Sequence, residues 1–162
     1  MKKMKKVLFS LVVVMLILTS CGADAVKFND SIIKEQTSMF SAIEDYSNKL
    51  SQAATNNSFA EIKAVSDSLL TKLDKSIEVI KGLNTPSGGE KFKEAAIDYF
   101  ESAKKIITLG EKASSLGNEP TEEQATAFYE EYNNVVKDVT EKEAALLAVQ
   151  KEFAKEKNMK LQ

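Results

Sequence analysis

Apolar residues recur every three or four positions along most of the chain, the spacing that places side chains on one face of an α-helix. Four such stretches follow one another, and polar residues fill the positions between the apolar ones. The pattern predicts helices over about residues 28–54, 58–83, 90–116 and 121–157. No stretch alternates convincingly between apolar and polar residues, so we expect an all-α fold.

The apolar positions of the four stretches are the predicted core. They are Ile32, Met39, Ile43, Tyr46, Leu50 and Ala53; Phe59, Ile62, Val65, Leu69, Leu73, Ile77, Ile80 and Leu83; Phe92, Ala96, Tyr99, Ala103, Ile106 and Ala113; and Ala125, Phe128, Tyr132, Val135, Val139, Leu146, Val149 and Phe153. Gln36 and Lys142 interrupt the rows. We expect Gln36 to meet Ser76 across the first two helices, and Lys142 to lay its stem on apolar surface with its ammonium in water.

The predicted helices begin and end at recognisable signals. Three pairs have capping-box spacing, in which a hydroxyl and a side chain three residues later bond each other's backbone N–H groups. The pairs are Ser58 with Glu61, Ser87 with Glu90, and Thr121 with Gln124. Gly117 is placed to end the third helix, and both prolines lie in the loops over residues 83–89 and 117–120. Because the connections are short, successive helices should pack antiparallel, as an up-down-up-down four-helix bundle.

The first twenty residues have the composition of an export signal. The cationic start consists of Lys2, Lys3, Lys5 and Lys6. An apolar run from Val7 to Leu18 follows, interrupted only by Ser10. The run is too short to cross a bilayer, which takes roughly 20 apolar residues. We therefore predict a signal peptide over residues 1–20. Two alternatives are a plain secretory signal cut near Ser20 and an uncleaved amphipathic helix.

Cys21 is the single cysteine of the chain, so it cannot form an internal disulfide. The sequence Leu18-Thr19-Ser20-Cys21 resembles the lipobox of bacterial lipoproteins. The resemblance implies cleavage between Ser20 and Cys21 and a diacylglyceryl group on the Cys21 thiol. Residues 21–27 would then form a lipidated, short tether, and residues 28–162 the bundle. In a double-membrane bacterium, Gly22 after the cysteine favours the outer membrane, again by resemblance.

The charge and the missing residue types exclude several functions. After residue 20 the chain carries 18 lysines against 24 acidic residues, a net charge of −6. Such a domain is a poor binder of nucleic acid, whose affinity comes largely from neutralised phosphates. The chain has no arginine, histidine or tryptophan. Guanidinium clamps, histidine-containing di-metal sites and histidine-dependent triads therefore cannot form. We assign no catalytic, cofactor-binding or metal-binding residue, and we do not expect an enzyme.

Two groups of residues have types that occur in catalytic or ligand-binding sites. The acidic pairs Glu122 with Glu123, Glu130 with Glu131, and Glu141 with Glu143 are one or two residues apart. Neighbours at that spacing point in different directions on a helix, so we interpret all three as solvated surface. The aromatic residues Phe128, Tyr129 and Tyr132, together with Tyr99 and Phe100, could line a ligand slot, but core packing is the favoured interpretation.

Lysines and acids are expected to separate along the bundle axis. The end that carries the tether holds Lys27, Lys81, Lys91, Lys93, Lys151, Lys155, Lys157 and Lys160, and the opposite end holds Glu61, Glu119, Glu122 and Glu123. This difference would stand the bundle upright on anionic headgroups. Ordinary charge scatter is the alternative.

Two segments carry a wider resemblance. Phe28-Asn29-Asp30 and Phe153-Ala154-Lys155, with residues near them, look like a family of small, uncharacterised bacterial surface lipoproteins. The likeness covers the chain from about Val26 onward and implies a lipoprotein and a helical bundle, with no activity to transfer.

The expected function is a non-catalytic binding or interaction module of the cell envelope. It would be held on the membrane by the lipid on Cys21 and would contact another envelope protein. A carrier or chaperone for an apolar ligand, with Met39 and the aromatics as its lining, is the alternative. An enzyme using only lysine, tyrosine, serine and carboxylates is the least supported.

Overall fold

A computed structural model describes residues 16–17, 22–56, 61–117 and 119–161 of the protein. Four helices make up nearly all of this part: α1 (Ala23–Asn56), α2 (Ile62–Gly82), α3 (Glu90–Leu116) and α4 (Glu122–Glu156). Two two-residue strands, β1 (Leu16–Ile17) and β2 (Lys160–Leu161), pair antiparallel. They are too short to show apolar alternation in the sequence. The predicted all-α four-helix bundle is confirmed.

Successive helices run antiparallel, as the contacts between them demonstrate. The Ser66 hydroxyl of α2 donates to the Tyr46 hydroxyl of α1 at 3.0 Å, and the Ser76 hydroxyl donates to Glu35 Oε2 at 2.6 Å. The residue number therefore rises in one helix as it falls in the other. The α3–α4 ion pairs follow the same rule: Asp98 with Lys142 at 2.8 Å, Lys105 with Asp138 at 2.7 Å, and Lys112 with Glu131.

The core is one connected cluster of buried side chains from all four helices. We call the end where α1 and α3 begin the base, and the opposite end the tip. At the base, the rings of Phe28, Phe92 and Phe153 pack with centroids 5.6–5.7 Å apart. Aromatic rings at such separations contribute beyond the apolar area that they bury. This aromatic cluster joins α1, α3 and α4 at the base.

The four helices do not form a symmetric square. Helix α1 packs against α2 and also directly against α3, whereas α4 packs along α3. Near the tip, the ring of Tyr46 lies against the backbone of Gly110, and its hydroxyl donates to the Ile107 carbonyl at 3.2 Å. Because glycine has no Cβ, α1 and α3 approach closely at this point. Helix α4 meets α1 at the base, where Gln150 Nε2 donates to Asn29 Oδ1 at 3.1 Å.

The predicted capping signals have different outcomes. The Thr121 and Gln124 box is confirmed: Gln124 N donates to Thr121 Oγ1 at 3.2 Å, and Thr121 N donates to Gln124 Oε1 at 2.9 Å. Gly117 follows the last residue of α3 with φ of +68°, as predicted. Ser58 lies outside the described residues, and Glu61 at the start of α2 makes no capping side-chain bond.

The predicted Ser87 box is wrong. The Gly89 N–H donates to the Pro86 carbonyl at 2.8 Å, which closes a turn over residues 86–89, and Gly88 takes a φ of +79° within it. Ser87 is therefore held inside the turn. Helix α3 begins at Glu90, with Gly89 at its N-cap and no side-chain cap.

The first helix starts earlier than predicted. Residues 23–27 were expected to belong to a tether, but α1 already begins at Ala23. Its first turn forms because the N–H groups of Ala25 and Val26 donate to the Gly22 carbonyl at 2.9 and 3.2 Å. Ala25 is also buried in the core cluster. Between position 21 and the bundle there remains only Gly22.

Candidate interaction surfaces

The predicted anchor lies outside the described residues. Leu18, Thr19, Ser20 and Cys21 all belong to that part of the chain, so cleavage and lipidation stay predictions. Gly22 is the first described residue after Cys21, and it is exposed. Among the described helices, none combines the length and the apolar character needed to cross a membrane.

The tip half of α4 is not buried in the core. The buried side chains of this helix are Leu146, Gln150, Phe153 and Ala154, and every residue from 122 to 145 is half-buried or exposed. The predicted core positions Phe128, Tyr132, Val135 and Val139 are among these half-buried residues. Of the four, Val139 packs against the core cluster. The prediction of core packing is therefore wrong for Phe128, Tyr129 and Tyr132, whereas Tyr99 and Phe100 of α3, predicted with them, are buried in the core.

Three aromatic side chains of this half form a surface cluster, which we call the aromatic ridge: Phe128, Tyr129 and Tyr132. The rings of Phe128 and Tyr132 stack one helical turn apart, with centroids 6.4 Å apart and an angle of 29° between the planes. Tyr129 meets Phe128 edge-on at 6.1 Å and is 64% exposed. The rings thus contact one another at the surface.

The charge around the ridge is negative. Glu122, Glu123 and Glu130 are exposed, and none of them has a lysine within ion-pair distance among the described residues. Glu131 is paired with Lys112 of α3. The helical segment that carries the ridge therefore also carries three carboxylates without a lysine partner among the described residues.

One carboxylate of the three acidic pairs that were predicted to be fully solvated is only partly exposed. Glu143 is half-buried, and this burial raises the pKa of its carboxyl group. Tyr99 is buried close to it, and burial together with the Glu143 charge raises the pKa of the Tyr99 hydroxyl. Glu141 instead makes a long surface pair with Lys137 at 3.9 Å. Glu141 and Glu143 therefore do not converge on one site.

Gln36 and Lys142, the two polar side chains predicted at core positions, are both half-buried. The predicted contact of Gln36 with Ser76 is wrong by one residue, because Glu35 accepts the Ser76 hydrogen bond. The Lys142 ammonium binds Asp98 at 2.8 Å, and its side chain is 41% exposed. This ion pair raises the pKa of Lys142. Exposed pairs of this kind contribute little to stability because solvent screens them.

A buried polar pair at the base was not predicted as such. Asn29 is fully buried, Gln150 nearly so, and the two are hydrogen-bonded to each other. Gln150 lies four residues after Leu146 on the same buried face, so the helical spacing could have indicated its burial. A buried amide pair fixes the register of α1 against α4, because sliding either helix would leave both groups unsatisfied.

A long groove runs between α1 and α2 on the outer side of the bundle. Its volume is about 970 Å³, and it is open to solvent. Ala42, Val65 and the buried Leu69 form apolar parts of its lining. Lysines and hydroxyl side chains make up much of the rest. We call this feature the α1–α2 groove.

Neither metal-binding groups among the described residues nor similarity to known proteins identifies a functional site. In the part of the chain that the structure describes, no group of three or more cysteine, histidine or acidic side chains is arranged to hold a metal ion. No family model, no curated protein and no solved structure matches the sequence.

Proposed function

We propose that this protein is a lipid-anchored lipoprotein of the bacterial envelope that works as a non-catalytic interaction module. The resemblance to bacterial lipoproteins favours the outer membrane as its location. Its aromatic ridge binds a partner protein with a basic surface. The observation that carries the proposal is the surface cluster of an exposed Tyr129 with the half-buried Phe128 and Tyr132, on a helix whose buried residues all lie in its other half.

The energetic argument rests on the aromatic rings. Each aromatic side chain offers roughly 150–250 Å² of surface, and aromatic anchors account for much of the binding energy in protein interfaces. A ridge of three rings that contact one another needs little ordering when a partner arrives. The free energy lost in ordering side chains, about 0.5–1.5 kcal/mol for each, is therefore small here.

The charge argument selects the partner. The carboxylates of Glu122, Glu123 and Glu130 lie on the same half of α4 as the ridge and give this half a negative charge. Opposite charges at the edge of an interface raise the association rate and disfavour partners of like charge. A partner with lysine or arginine around an apolar patch fits this surface.

The position of the ridge agrees with a tethered module. Helix α1 has 34 residues, which correspond to about 50 Å of helix. Gly22, the residue after Cys21, lies at the base and the ridge lies in the tip half, so lipidation at Cys21 would hold the ridge well above the membrane surface. The lysines near the base would face anionic headgroups.

The anchor is tested by labelling cells with radioactive palmitate. We expect label in the wild-type protein and none in Cys21→Ala, because the thiol is the acceptor of the diacylglyceryl group. Mass spectrometry of the mature amino terminus provides a second readout. Label that persists in Cys21→Ala, or a mature chain that starts elsewhere without lipid, would contradict the proposed anchor.

The ridge is tested by placing the photo-crosslinking residue p-benzoylphenylalanine at position 129 in native membranes. Position 79 serves as the matched control, since Val79 is also an exposed large hydrophobic residue, 48% exposed, but lies on α2. We expect position 129 to crosslink to a protein with a basic surface patch, and position 79 not to do so.

The captured protein must then bind the purified chain through the same surface. Phe128→Ala with Tyr132→Ala should weaken binding at least tenfold, Val79→Ala should leave it unchanged, and added salt should slow association. Equal crosslinking from both positions, or binding that is insensitive to the ridge variant, would refute the role of the ridge.

A further inference from the structure

The α1–α2 groove contains a group of side chains that the interaction with a basic partner does not use. Lys34 and Lys72 line it, together with the hydroxyls of Ser38, Ser41 and Ser68. Within the described residues, neither lysine has an acidic side chain within 4 Å, and the three serine hydroxyls form no hydrogen bond. Lys104, Lys105, Lys112 and Lys142 are paired with acids, whereas Lys75, Lys91 and Lys151, like Lys34 and Lys72, have no acid within 4 Å among the described residues.

The register of the two helices brings these side chains into one half of the groove. Tyr46 faces Ser66 and Glu35 faces Ser76, so residues whose numbers sum to about 111 lie level with each other. Lys72 is then level with residues 39–40 of α1, five or six residues from Lys34. At 1.5 Å per residue this is about 8 Å along the axis.

Two long, flexible lysine side chains with that offset can reach one anion between them. The serine hydroxyls extend the same stretch toward the tip. Ser68 is level with residues 43–44 of α1, just beyond Ser38 and Ser41. Beyond it, the third groove lysine, Lys49, shares its half of the groove with the carboxylates of Asp45 and Glu61.

The two halves therefore differ in charge. The half near the base contains two lysines and hydroxyls, and the half near the tip contains one lysine and two carboxylates. This local excess of positive charge belongs to a chain whose net charge after residue 20 is −6. The positive half is thus a local exception to the overall charge of the domain.

We propose that the α1–α2 groove binds the phosphate ester of a polyol, with the phosphate between Lys34 and Lys72 and the polyol along Ser38, Ser41 and Ser68. Lysine ammonium groups bind phosphate as mobile point charges. Serine hydroxyls both donate and accept, which matches the hydroxyls of a polyol. The groove, about 970 Å³ over both halves and open to solvent, has space for an organic body beside the phosphate.

This chemistry has two sources, soluble sugar phosphates and phosphoglycerol lipid headgroups. The test is a titration of the purified, isotope-labelled Cys21→Ala chain, followed by backbone amide shifts. The probes are glucose 6-phosphate, glucose, inorganic phosphate, and vesicles of phosphatidylcholine with or without phosphatidylglycerol. The proposal requires shifts centred on residues 34–41 and 68–72 with a phosphorylated probe. Saturation by glucose 6-phosphate identifies a soluble ligand, and saturation only by phosphatidylglycerol vesicles identifies a headgroup.

Variants separate a built groove from general attraction to lysines. Lys34→Gln with Lys72→Gln should weaken binding at least tenfold. Lys91→Gln with Lys151→Gln removes the same charge from exposed positions outside the groove and should have no effect. Ser41→Leu, which fills the groove at an exposed position without changing charge, should also weaken binding at least tenfold.

Three results would overturn the proposal. The first is equal loss of binding in both lysine pairs. The second is a set of shifts spread over the lysines of the whole surface, or an affinity for glucose and inorganic phosphate equal to that for glucose 6-phosphate and the lipid. The third is no shift with any phosphorylated probe. The ridge and the lipid on Cys21 take no part in this test, so its failure would leave the proposed function standing.

Discussion

Replacing Gly110 with alanine tests the close approach of α1 and α3. An alanine Cβ at this position would lie 2.8 Å from Cε1 and Cζ of Tyr46, and nearer still to its hydroxyl oxygen. The tyrosine has little freedom to move away. It is 2% exposed, its hydroxyl donates to the Ile107 carbonyl at 3.2 Å, and it accepts from Ser66 at 3.0 Å. The added methyl group must therefore push the two helices apart or displace the ring.

The expected magnitude follows from three contributions. Overpacking a well-filled core costs about 1–3 kcal/mol. Weakening the Tyr46 hydrogen bonds adds about 0.5–1.5 kcal/mol. Alanine in place of glycine inside a helix offsets about 0.5–1 kcal/mol of this. We therefore expect Gly110→Ala to lower the free energy of unfolding by about 2 kcal/mol, between limits of about 0.5 and 4 kcal/mol. For a domain of this size, that corresponds to a fall in Tm of roughly 3–10 °C.

The assay is urea unfolding followed by circular dichroism, with two comparison variants. Gly82 is the last residue of α2, and an alanine Cβ there would have no neighbouring atom within 4 Å, so Gly82→Ala should be neutral or stabilising. In a Tyr46→Leu background the ring is gone, and Gly110→Ala should then cost at least about 1 kcal/mol less than in the wild type. If Gly110→Ala proves as harmless as Gly82→Ala, the proposed close contact of α1 and α3 is refuted.

Three further variants test separate parts of the fold. Leu73→Asp should abolish folding, read as lost helical circular dichroism or lost expression, because an unpaired buried charge costs several kcal/mol; an unchanged Tm would contradict the core assignment. Thr121→Ala should lower the free energy of unfolding by about 1 kcal/mol in urea titrations, through loss of the α4 cap. Burial raises the pKa of the Glu143 carboxyl in the folded chain. Ionising this carboxyl therefore destabilises the fold. The loss of stability begins as the pH rises past the pKa in the unfolded chain, about 4.3, and is complete above the pKa in the folded chain. Glu143→Gln should accordingly raise Tm at pH 7 and leave it unchanged at pH 3, and equal effects at both pH values would exclude this explanation.

Local signals in the sequence predicted what depends on local structure. The Thr121 and Gln124 box forms as predicted because both partners lie within one turn of the same helix. The Ser87 box had the same spacing and did not form. There Gly88 and Gly89 allow a tight turn after Pro86, and a three-residue spacing contains no information about that competing turn.

The burial of α4 could not be predicted from its own residues. Its apolar row runs with helical spacing from Ala125 to Phe153, yet only its second half is buried. The periodicity indicates which face of a helix turns inward, but not how near the neighbouring helix comes. That distance depends on Tyr46 and Gly110, which lie on α1 and α3. The aromatic ridge was therefore predicted as core, although its residues were identified correctly as a group.

The direct contact of α1 with α3 also determines how the two proposed surfaces are related. When two diagonal helices of a four-helix bundle touch, the other two are pushed to opposite outer corners, here α2 and α4. The ridge lies on α4 and the groove lies between α1 and α2, so the two surfaces share no residue. The charges near them also differ, since the half of α4 that carries the ridge has carboxylates with no lysine partner among the described residues, whereas lysines line the base half of the groove. A basic protein on the ridge and a phosphate ester in the groove would thus occupy the domain without competing for the same residues.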